Sequence, residues 1–66
     1  MYYIVIAYSP VKPGEYLYFS GWNGTKDIYT DPVKIAAIKY STEREAQLER
    51  RRIIKLEKYI ATVMKG

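Results

Sequence analysis

The feature that most restricts the fold is the last third of the chain, residues 42–64, which contains neither glycine nor proline. Apolar residues recur there at spacings of three and four, which is the period of one face of an α-helix. The apolar stripe consists of Ala46, Ile53, Leu56, Ile60, Val63 and Met64, with Ile54 and Ala61 at its edges. The pattern predicts a long amphipathic helix over 42–64 whose apolar stripe is buried against the rest of the chain.

A capping box predicts where this helix begins. In the sequence TERE, the Thr42 hydroxyl can accept a hydrogen bond from the Glu45 amide, while the Glu45 carboxylate reaches back to the Thr42 amide. Glu43 and Glu45 also lie favourably at the positive end of the helix dipole. We therefore expect the helix to start at Thr42.

Two glutamates are placed close to the apolar stripe. An unpaired carboxylate buried at Glu49 or Glu57 would be costly. One arrangement that avoids this cost leaves residues 43–52 overhanging a short sheet and docks residues 53–64. The alternative is self-association along the helix, in which these glutamates meet arginines of a second copy.

Earlier segments predict a small antiparallel sheet. Residues 2–8 are rich in aromatic and β-branched residues and nearly apolar on both faces, which favours a central strand. A second strand over 15–22 alternates, so that Leu17 and Phe19 face the core. The opposite face of that strand then carries Tyr16, Tyr18 and Trp22.

Turn signals divide the remaining residues. Asn23-Gly24 favours a type I′ hairpin turn followed by a third strand over 26–29. Asp31-Pro32 is typical of a helix start and predicts a helical turn over 32–36. A brief strand is expected over 38–40.

The predicted fold class is therefore α+β. It is a small antiparallel sheet of about three to four strands packed on one long C-terminal helix. The element order is β-β-β-(short α)-β-α. The 66 residues are expected to form a single domain.

The residue inventory argues against an enzyme. The chain has no histidine and no cysteine, which removes the commonest general base, the thiol nucleophile and nearly all zinc or transition-metal sites. Asp27 and Asp31 could share a hard cation, but two carboxylates without a third ligand make a weak site. Gly21 and Gly24 lack the spacing of a phosphate-binding loop. We expect no catalytic residue, no metal ion and no cofactor.

Charge and hydropathy restrict the class of partner. The net charge of +4 favours anionic partners. The apolar run 2–8 follows Met1 without a basic leader and is too short to cross a bilayer, so it is expected to be neither a signal peptide nor an anchor. We therefore expect a cytoplasmic protein without a membrane partner.

The back of the predicted helix is the first candidate binding surface. Five positive side chains and no acid lie there within an arc of about 80°: Arg44, Arg51, Lys55, Lys58 and Lys65. Such a face suits an acidic partner or phosphates. The alternative is an ordinary solvated helix back.

The second candidate surface is the sheet face opposite the helix. One helix cannot cover both faces, so some of the sheet's aromatic side chains must be exposed, from the set Tyr3, Tyr16, Tyr18, Trp22 and Tyr29. Exposed aromatic rings can anchor a protein interface or stack on unpaired bases, or they can simply shield the sheet. Together the two surfaces give the predicted partner-binding residues Arg44, Arg51, Lys55, Lys58, Tyr16, Tyr18 and Trp22.

The stretch 37–46, AIKYSTEREA, follows a tyrosine-rich hairpin. It resembles the A-x-x-F/Y-x-T-x-x-E-A pattern of small orphan proteins encoded by phages and prophages, mostly of Gram-positive bacteria. The resemblance implies an accessory phage gene product, a class that includes host-takeover factors and anti-CRISPR inhibitors. It implies no particular site residue, because that group has no shared active site.

These observations give three hypotheses. The first is a non-enzymatic phage or prophage accessory protein that binds and inhibits a host protein, such as a nucleic-acid-handling or CRISPR effector, alone or within a nucleoprotein complex. The second is direct binding of DNA or RNA through the basic helix face and exposed aromatic rings. The third is a self-assembling structural protein, including a homodimer formed through the long helix.

Overall fold

The computed structural model describes residues 1–7 and 16–66. These residues form a four-stranded antiparallel sheet, one α-helix and a 3₁₀ turn, so the predicted α+β class is confirmed. The strands lie side by side in the order β3-β2-β1-β4, which makes β1 a central strand as predicted. In chain order the elements are β1 (Tyr2–Ala7), β2 (Leu17–Asn23), β3 (Asp27–Asp31), the 3₁₀ turn (Lys34–Ala36), α1 (Glu43–Ile54) and β4 (Ile60–Lys65).

Helix α1 starts as predicted but is much shorter than predicted. The Thr42 hydroxyl accepts a hydrogen bond from the Glu45 amide at 3.2 Å, which is one of the two bonds of the predicted capping box. The Glu45 carboxylate accepts from the Thr42 hydroxyl instead of the Thr42 amide. The helix ends at Ile54, and a helix over 42–64 is therefore wrong. Three residues later Glu57 has a φ of 61°, a left-handed conformation in which an α-helix cannot continue.

The residues that follow form strand β4 instead of the second half of a helix. Ala61 and Val63 pack toward the core and alternate with exposed residues, which is the period of a strand. This strand pairs with β1 along its length, from Tyr2 opposite Lys65 to Ala7 opposite Ile60. The observed order is therefore β-β-β-3₁₀-α-β, because the segment supplies the missing neighbour of the central strand.

The helix lies on the sheet along its whole length. Ala46 in its first half and Ile53 in its second half are both fully buried. The predicted overhang of residues 43–52 is therefore wrong. A helix of 12 residues is short enough to be covered by the sheet.

A β-bulge in β2 changes which side chains share a face. The pairing of β2 with β3 shifts between Phe19 and Gly21, which leaves Ser20 as an extra residue. Gly21 has a φ of 151°, a conformation that residues with a Cβ atom rarely adopt. Because alternation restarts after the bulge, Trp22 lies on the core face with Phe19, at a ring-centroid distance of 5.8 Å. The prediction that Trp22 lies on the tyrosine face of β2 is wrong.

The β2–β3 connection differs in detail from the prediction. Asn23 pairs with Asp27, so the loop contains the three residues 24–26 and not a two-residue turn. Gly24 has a φ of 70°, but Asn23 does not have the positive φ that a type I′ turn also requires. The loop nevertheless joins the two strands that the Asn-Gly signal predicted.

The other predicted elements are present with altered limits. The helical turn predicted over 32–36 is the 3₁₀ turn Lys34–Ala36. The strand predicted over 38–40 is reduced to a single bridge between Tyr40 and Tyr2. Residue 8 of the first predicted strand and residue 15 of the second lie outside the described residues.

The core lies between α1 and one face of the sheet. All four strands and the helix contribute buried members to it. They are Ile4, Ile6, Phe19, Ile28, Ile53 and Ala61. Partly buried side chains close its rim: Trp22, Tyr40, Leu56, Tyr59 and Val63. The back of α1 and the opposite sheet face are left outside this core.

Candidate interaction surfaces

Two arginines of α1 fasten the helix to the sheet. Arg50 donates from Nε to the carbonyl oxygen of Ala61 in β4 at 2.6 Å. On the other side of the helix, the guanidinium of Arg52 lies 5.1 Å from the ring centroid of Trp22, within cation–π range. Arg52 also forms a 3.6 Å ion pair with Glu49. Arg50 and Arg52 therefore have structural roles.

Two other basic residues of α1 face away from the sheet, together with Lys55, the residue that follows the helix. At the period of an α-helix, Arg44, Arg51 and Lys55 lie within an arc of about 40°, opposite the buried residues Ala46 and Ile53. All three are exposed, and none forms an ion pair with the described part of the chain. Leu48 lies beside them with a relative exposure of 50%. We call Arg44, Leu48, Arg51 and Lys55 the outer stripe.

The nearest acidic side chains of the helix are engaged elsewhere. The Glu45 carboxylate accepts from the Ser41 hydroxyl at 2.9 Å and from the Thr42 hydroxyl at 3.1 Å. Glu49 accepts from the Trp22 indole N–H and pairs with Arg52, so it needs no second copy of the chain. No carboxylate of the described residues forms an ion pair with Arg44, Arg51 or Lys55.

Two lysines predicted on the basic helix face lie elsewhere. Lys58 is exposed in the connection between α1 and β4, and Lys65 is exposed in β4. Their predicted place on one helical arc is wrong because the helix ends at Ile54. Glu57 is exposed in the same connection, so its carboxylate has no burial cost to offset.

The three predicted aromatic anchors have different environments. Tyr16 is exposed at 61%, as an anchor would be. Tyr18 is half-buried, with its ring centroid 5.8 Å from that of Tyr3. Trp22 packs on the core and against α1, so the structure does not bring it together with the two tyrosines.

The segment between β3 and α1 covers part of the sheet face that points away from α1. The ammonium groups of Lys34 and Lys39 lie 4.8 and 4.9 Å from the ring centroid of Tyr3. Tyr3 is consequently only 7% exposed. The same segment carries Val33 and Ile35 with relative exposures of 55% and 89%, and no sequence period indicated their exposure.

A cleft lies between the end of α1 and the β2–β3 loop. Its volume is about 490 Å³, and it is lined by Trp22, Gly24, Thr25, Arg52, Lys55 and Leu56. No carboxylate lines it, although Glu49 partly neutralises Arg52. Lys55 belongs to both the cleft and the outer stripe, so the two positive surfaces are continuous.

Asp27 is held by two hydrogen bonds. Its Oδ1 atom accepts from the Tyr59 hydroxyl at 2.5 Å and from the Ile28 amide at 2.9 Å. The Tyr59 bond is the main reason that the pKa of Asp27 lies below the usual 3.8, with the Ile28 amide and the charge of Lys58 contributing further. This contact joins the start of β3 to the connection before β4.

The Tyr59 bond predicts a pH-dependent stability. Since the pKa of Asp27 is lower in the folded state than in the unfolded chain, its contribution is fully present above 3.8 and is lost as pH falls through the folded-state pKa. Removing the hydroxyl with Tyr59→Phe should therefore lower the urea midpoint more at pH 7 than at pH 3. A difference between the wild type and Tyr59→Phe that stays equal at both pH values would contradict this role for Asp27.

Comparisons with protein-family models, with curated proteins and with solved structures gave no match. Within residues 1–7 and 16–66, no helix has the length and apolar character needed to cross a bilayer. The same residues contain no group of three or more His, Cys, Asp or Glu side chains arranged to hold a metal ion. The interpretation of this chain therefore depends on the geometry of its own surfaces.

Proposed function

We propose that this chain is a non-enzymatic accessory protein of a phage or prophage that binds and inhibits a host protein in the host cytoplasm. The observation that carries the proposal is the outer stripe, where three unpaired cations lie beside the exposed Leu48. Such a stripe fits an acidic protein surface that also offers an apolar contact. The resemblance of residues 37–46 to phage-encoded proteins supports the proposed origin.

The proposed target is a nucleic-acid-handling effector, including the CRISPR class. Nuclease centres are built from carboxylates that hold divalent cations, so they provide acidic surfaces of the required chemistry. An inhibitor needs no chemistry of its own to cover such a surface. It needs a rigid element, and Arg50 and Arg52 hold α1 against the sheet from both sides.

The position of Leu48 favours a protein partner over nucleic acid. Protein interfaces place apolar anchors at the centre and polar groups at the rim. Along the helix axis, Leu48 lies between Arg44 on one side and Arg51 and Lys55 on the other, so an apolar contact at Leu48 would have a cation at each end. A phosphate backbone offers nothing for an exposed leucine to contact.

Charge reversal tests the outer stripe. We expect Arg51→Glu/Lys55→Glu to bind a partner recovered from host lysate about 100-fold more weakly than the wild type, because two favourable charge contacts become repulsive. The matched control is Lys26→Glu/Lys58→Glu, which changes the net charge equally at exposed positions away from the stripe. The measurement is the Kd of each purified variant for that partner by biolayer interferometry.

Two outcomes would contradict the proposal. Equal weakening by both double variants would assign the binding to net charge instead of the outer stripe. Recovery of no specific partner by the wild type from any lysate of the host would remove the host-protein target.

Direct binding of DNA or RNA is the second candidate function. The cleft beside Trp22 favours it, because Arg52 and Lys55 line a concave surface that is continuous with the cations of the outer stripe. Phosphate binding weakens steeply as salt rises, since counterions are released on binding. We therefore expect the protein to bind a single-stranded and a duplex oligonucleotide at low salt. If it binds neither of them, this candidate is removed.

A further inference from the structure

The outer edge of β4 presents backbone groups to solvent. Tyr2 exchanges two backbone hydrogen bonds with Tyr40, at 2.9 and 2.8 Å, so its N–H and C=O point away from β4. Tyr2 is also the direct partner of Lys65 in the antiparallel β1–β4 ladder. That pair is therefore a non-hydrogen-bonded one, and the backbone groups of Lys65 point away from β1. Because this direction alternates along a strand, the backbone groups of Val63 and Ala61 also point away from β1.

Two further contacts agree with this orientation. The Ala61 carbonyl oxygen accepts from Arg50, as expected for a group that points away from β1. The Gly66 amide donates to the Met1 carbonyl at 3.0 Å, as expected for the position after Lys65. Arg50 therefore closes one acceptor of the edge. The alternation leaves the backbone groups of Val63 and Lys65 without a partner in β1, and in the described structure no hydrogen bond outside the sheet ladder uses them.

The opposite edge of the sheet is protected. Strand β3 begins with Asp27 and ends with Asp31, and Pro32 follows it. Charged side chains and proline on an edge strand discourage pairing with another chain. Strand β4 contains no proline and no acid, and its one charged residue is Lys65 at its end. Its other exposed side chains are Ile60, Thr62 and Met64. Of the two edges, β4 is the one open to an added strand.

Helix α1 forms a wall beside this edge. The Arg50 contact with Ala61 places that side of the helix next to β4. Ile54 and Gln47 lie about 40° and 60° from Arg50 around the helix, so they belong to the same wall. Ile54 is 37% exposed and offers an apolar contact. A strand added to β4 would lie between this wall and solvent, which is the geometry of β-strand addition.

We propose that the β4 edge binds an extended acidic segment of a partner protein as an additional strand of the sheet. The backbone groups of Val63 and Lys65 form hydrogen bonds with this segment, and Ile54 contacts one of the segment's side chains. Its carboxylates pair with the Lys65 ammonium and with the remaining N–H groups of the Arg50 guanidinium. The chain's net charge of +4 favours such a segment over a neutral or basic one.

Charge also disfavours a second copy of the chain at this edge. Antiparallel self-pairing centred on Val63 would set Ala61 of one copy opposite Lys65 of the other. Arg50, which is bound to Ala61, would then lie beside that lysine. Like charges placed opposite each other destabilise a strand pair. The inference goes beyond the proposed function, because it uses no residue of the outer stripe.

Peptide selection and amide hydrogen exchange test the edge directly. The probe is a displayed library of random peptides of about ten residues, long enough for one strand. We expect enrichment of peptides rich in Asp and Glu that alternate with β-branched residues. In the free protein, the amides of Val63 and Lys65 should exchange faster than those of Thr62 and Met64. A selected peptide should slow exchange at Val63 and Lys65 by about tenfold or more.

A matched pair of variants separates backbone pairing from charge. Lys65→Pro removes an outward N–H without breaking a bond to β1, whereas Lys65→Gln removes the same charge but keeps that donor. We expect Lys65→Pro to bind the selected peptide about tenfold more weakly than Lys65→Gln. If Lys65→Pro fails to fold, a synthetic chain with N-methyl-Val63 provides the same comparison against the unmethylated chain.

Three results would overturn the inference. One is the absence of any enriched peptide, and another is equal binding of the selected peptide by Lys65→Pro and Lys65→Gln. The third is a free protein that sediments as a dimer with Val63 and Lys65 already protected from exchange, which would make a second copy the occupant. None of these results depends on the outer stripe, so the proposed function would stand or fall separately.

Discussion

Replacing Ile53 by alanine is expected to lower the free energy of unfolding by about 2–5 kcal/mol, whereas Ile54→Ala should lower it by only about 1 kcal/mol. Ile53 has no exposed surface and is the helix's main contribution to the core cluster, while Ile54 is 37% exposed. The two residues are adjacent and identical, so their helix propensities cancel in the comparison. Only the direction in which each side chain points differs.

The size of this effect is large for a chain of 66 residues. Small domains bury a smaller fraction of their surface than large ones, and even typical domains are stable by only about 5–15 kcal/mol. Urea unfolding followed by circular dichroism measures both variants. Equal midpoints for Ile53→Ala and Ile54→Ala would show that α1 presents a different face to the sheet, and the outer stripe would then be wrongly placed.

Trp22→Ala should lower the free energy of unfolding by about 3 kcal/mol, at the low end for a large aromatic residue because the side chain is only partly buried. The ring packs edge-on against Phe19 and lies under the guanidinium of Arg52. Its indole N–H donates to Glu49. Trp22→Phe keeps most of the packing but leaves Glu49 without this donor, and should cost about 1–2 kcal/mol.

Tyr16→Ala is the control for Trp22, because Tyr16 is exposed at 61% and should stay within about 0.5 kcal/mol of the wild type. The measurement is again urea unfolding. If Trp22→Ala unfolds at the wild-type midpoint, Trp22 is a free surface residue, as simple strand alternation predicts. If Trp22→Ala unfolds at a lower urea concentration than the wild type, any loss of partner binding by this variant reflects its destabilised fold and gives no evidence for an anchor.

Features that depend on neighbouring residues could be predicted from the sequence. The Thr42 cap fixes the start of α1 because its partner, the Glu45 amide, lies within one helical turn. The Asn-Gly signal places the β2–β3 loop for the same local reason. Residues 2–7 are apolar on both faces, and β1 is indeed flanked by a strand on each side. The α+β class follows from these local signals.

The end of α1 could not be predicted in this way. Residues 55–58, KLEK, are all good helix formers, and no glycine or proline marks the boundary. The apolar spacing of residues 60–64 also fits a helix as well as a strand. What decides between them is tertiary: the open side of β1 gains a partner if the last residues form β4. Pairing with a distant segment therefore overrides local propensity.

The candidate surfaces were only partly predictable for related reasons. Arg50, Arg51 and Arg52 are alike in sequence, yet the first contacts Ala61, the second faces solvent and the third lies on Trp22. Helical geometry separates their directions, but their partners come from distant strands. Gly21 inside the strand pattern is the one sequence signal of the bulge at Ser20. Simple alternation does not take that signal into account, so the face of Trp22 was assigned wrongly.

The pairing of β1 with β4 also has a kinetic consequence. It joins residues from opposite ends of the chain, with Tyr2 opposite Lys65 and Ile6 opposite Ala61. Such distant contacts lose much chain entropy before they gain any stabilisation, so they form late and slow the overall reaction. The helix and the β2–β3 hairpin can appear early, but neither has its full core until this last pairing closes. Folding is therefore expected on the order of milliseconds or slower, in a single cooperative step.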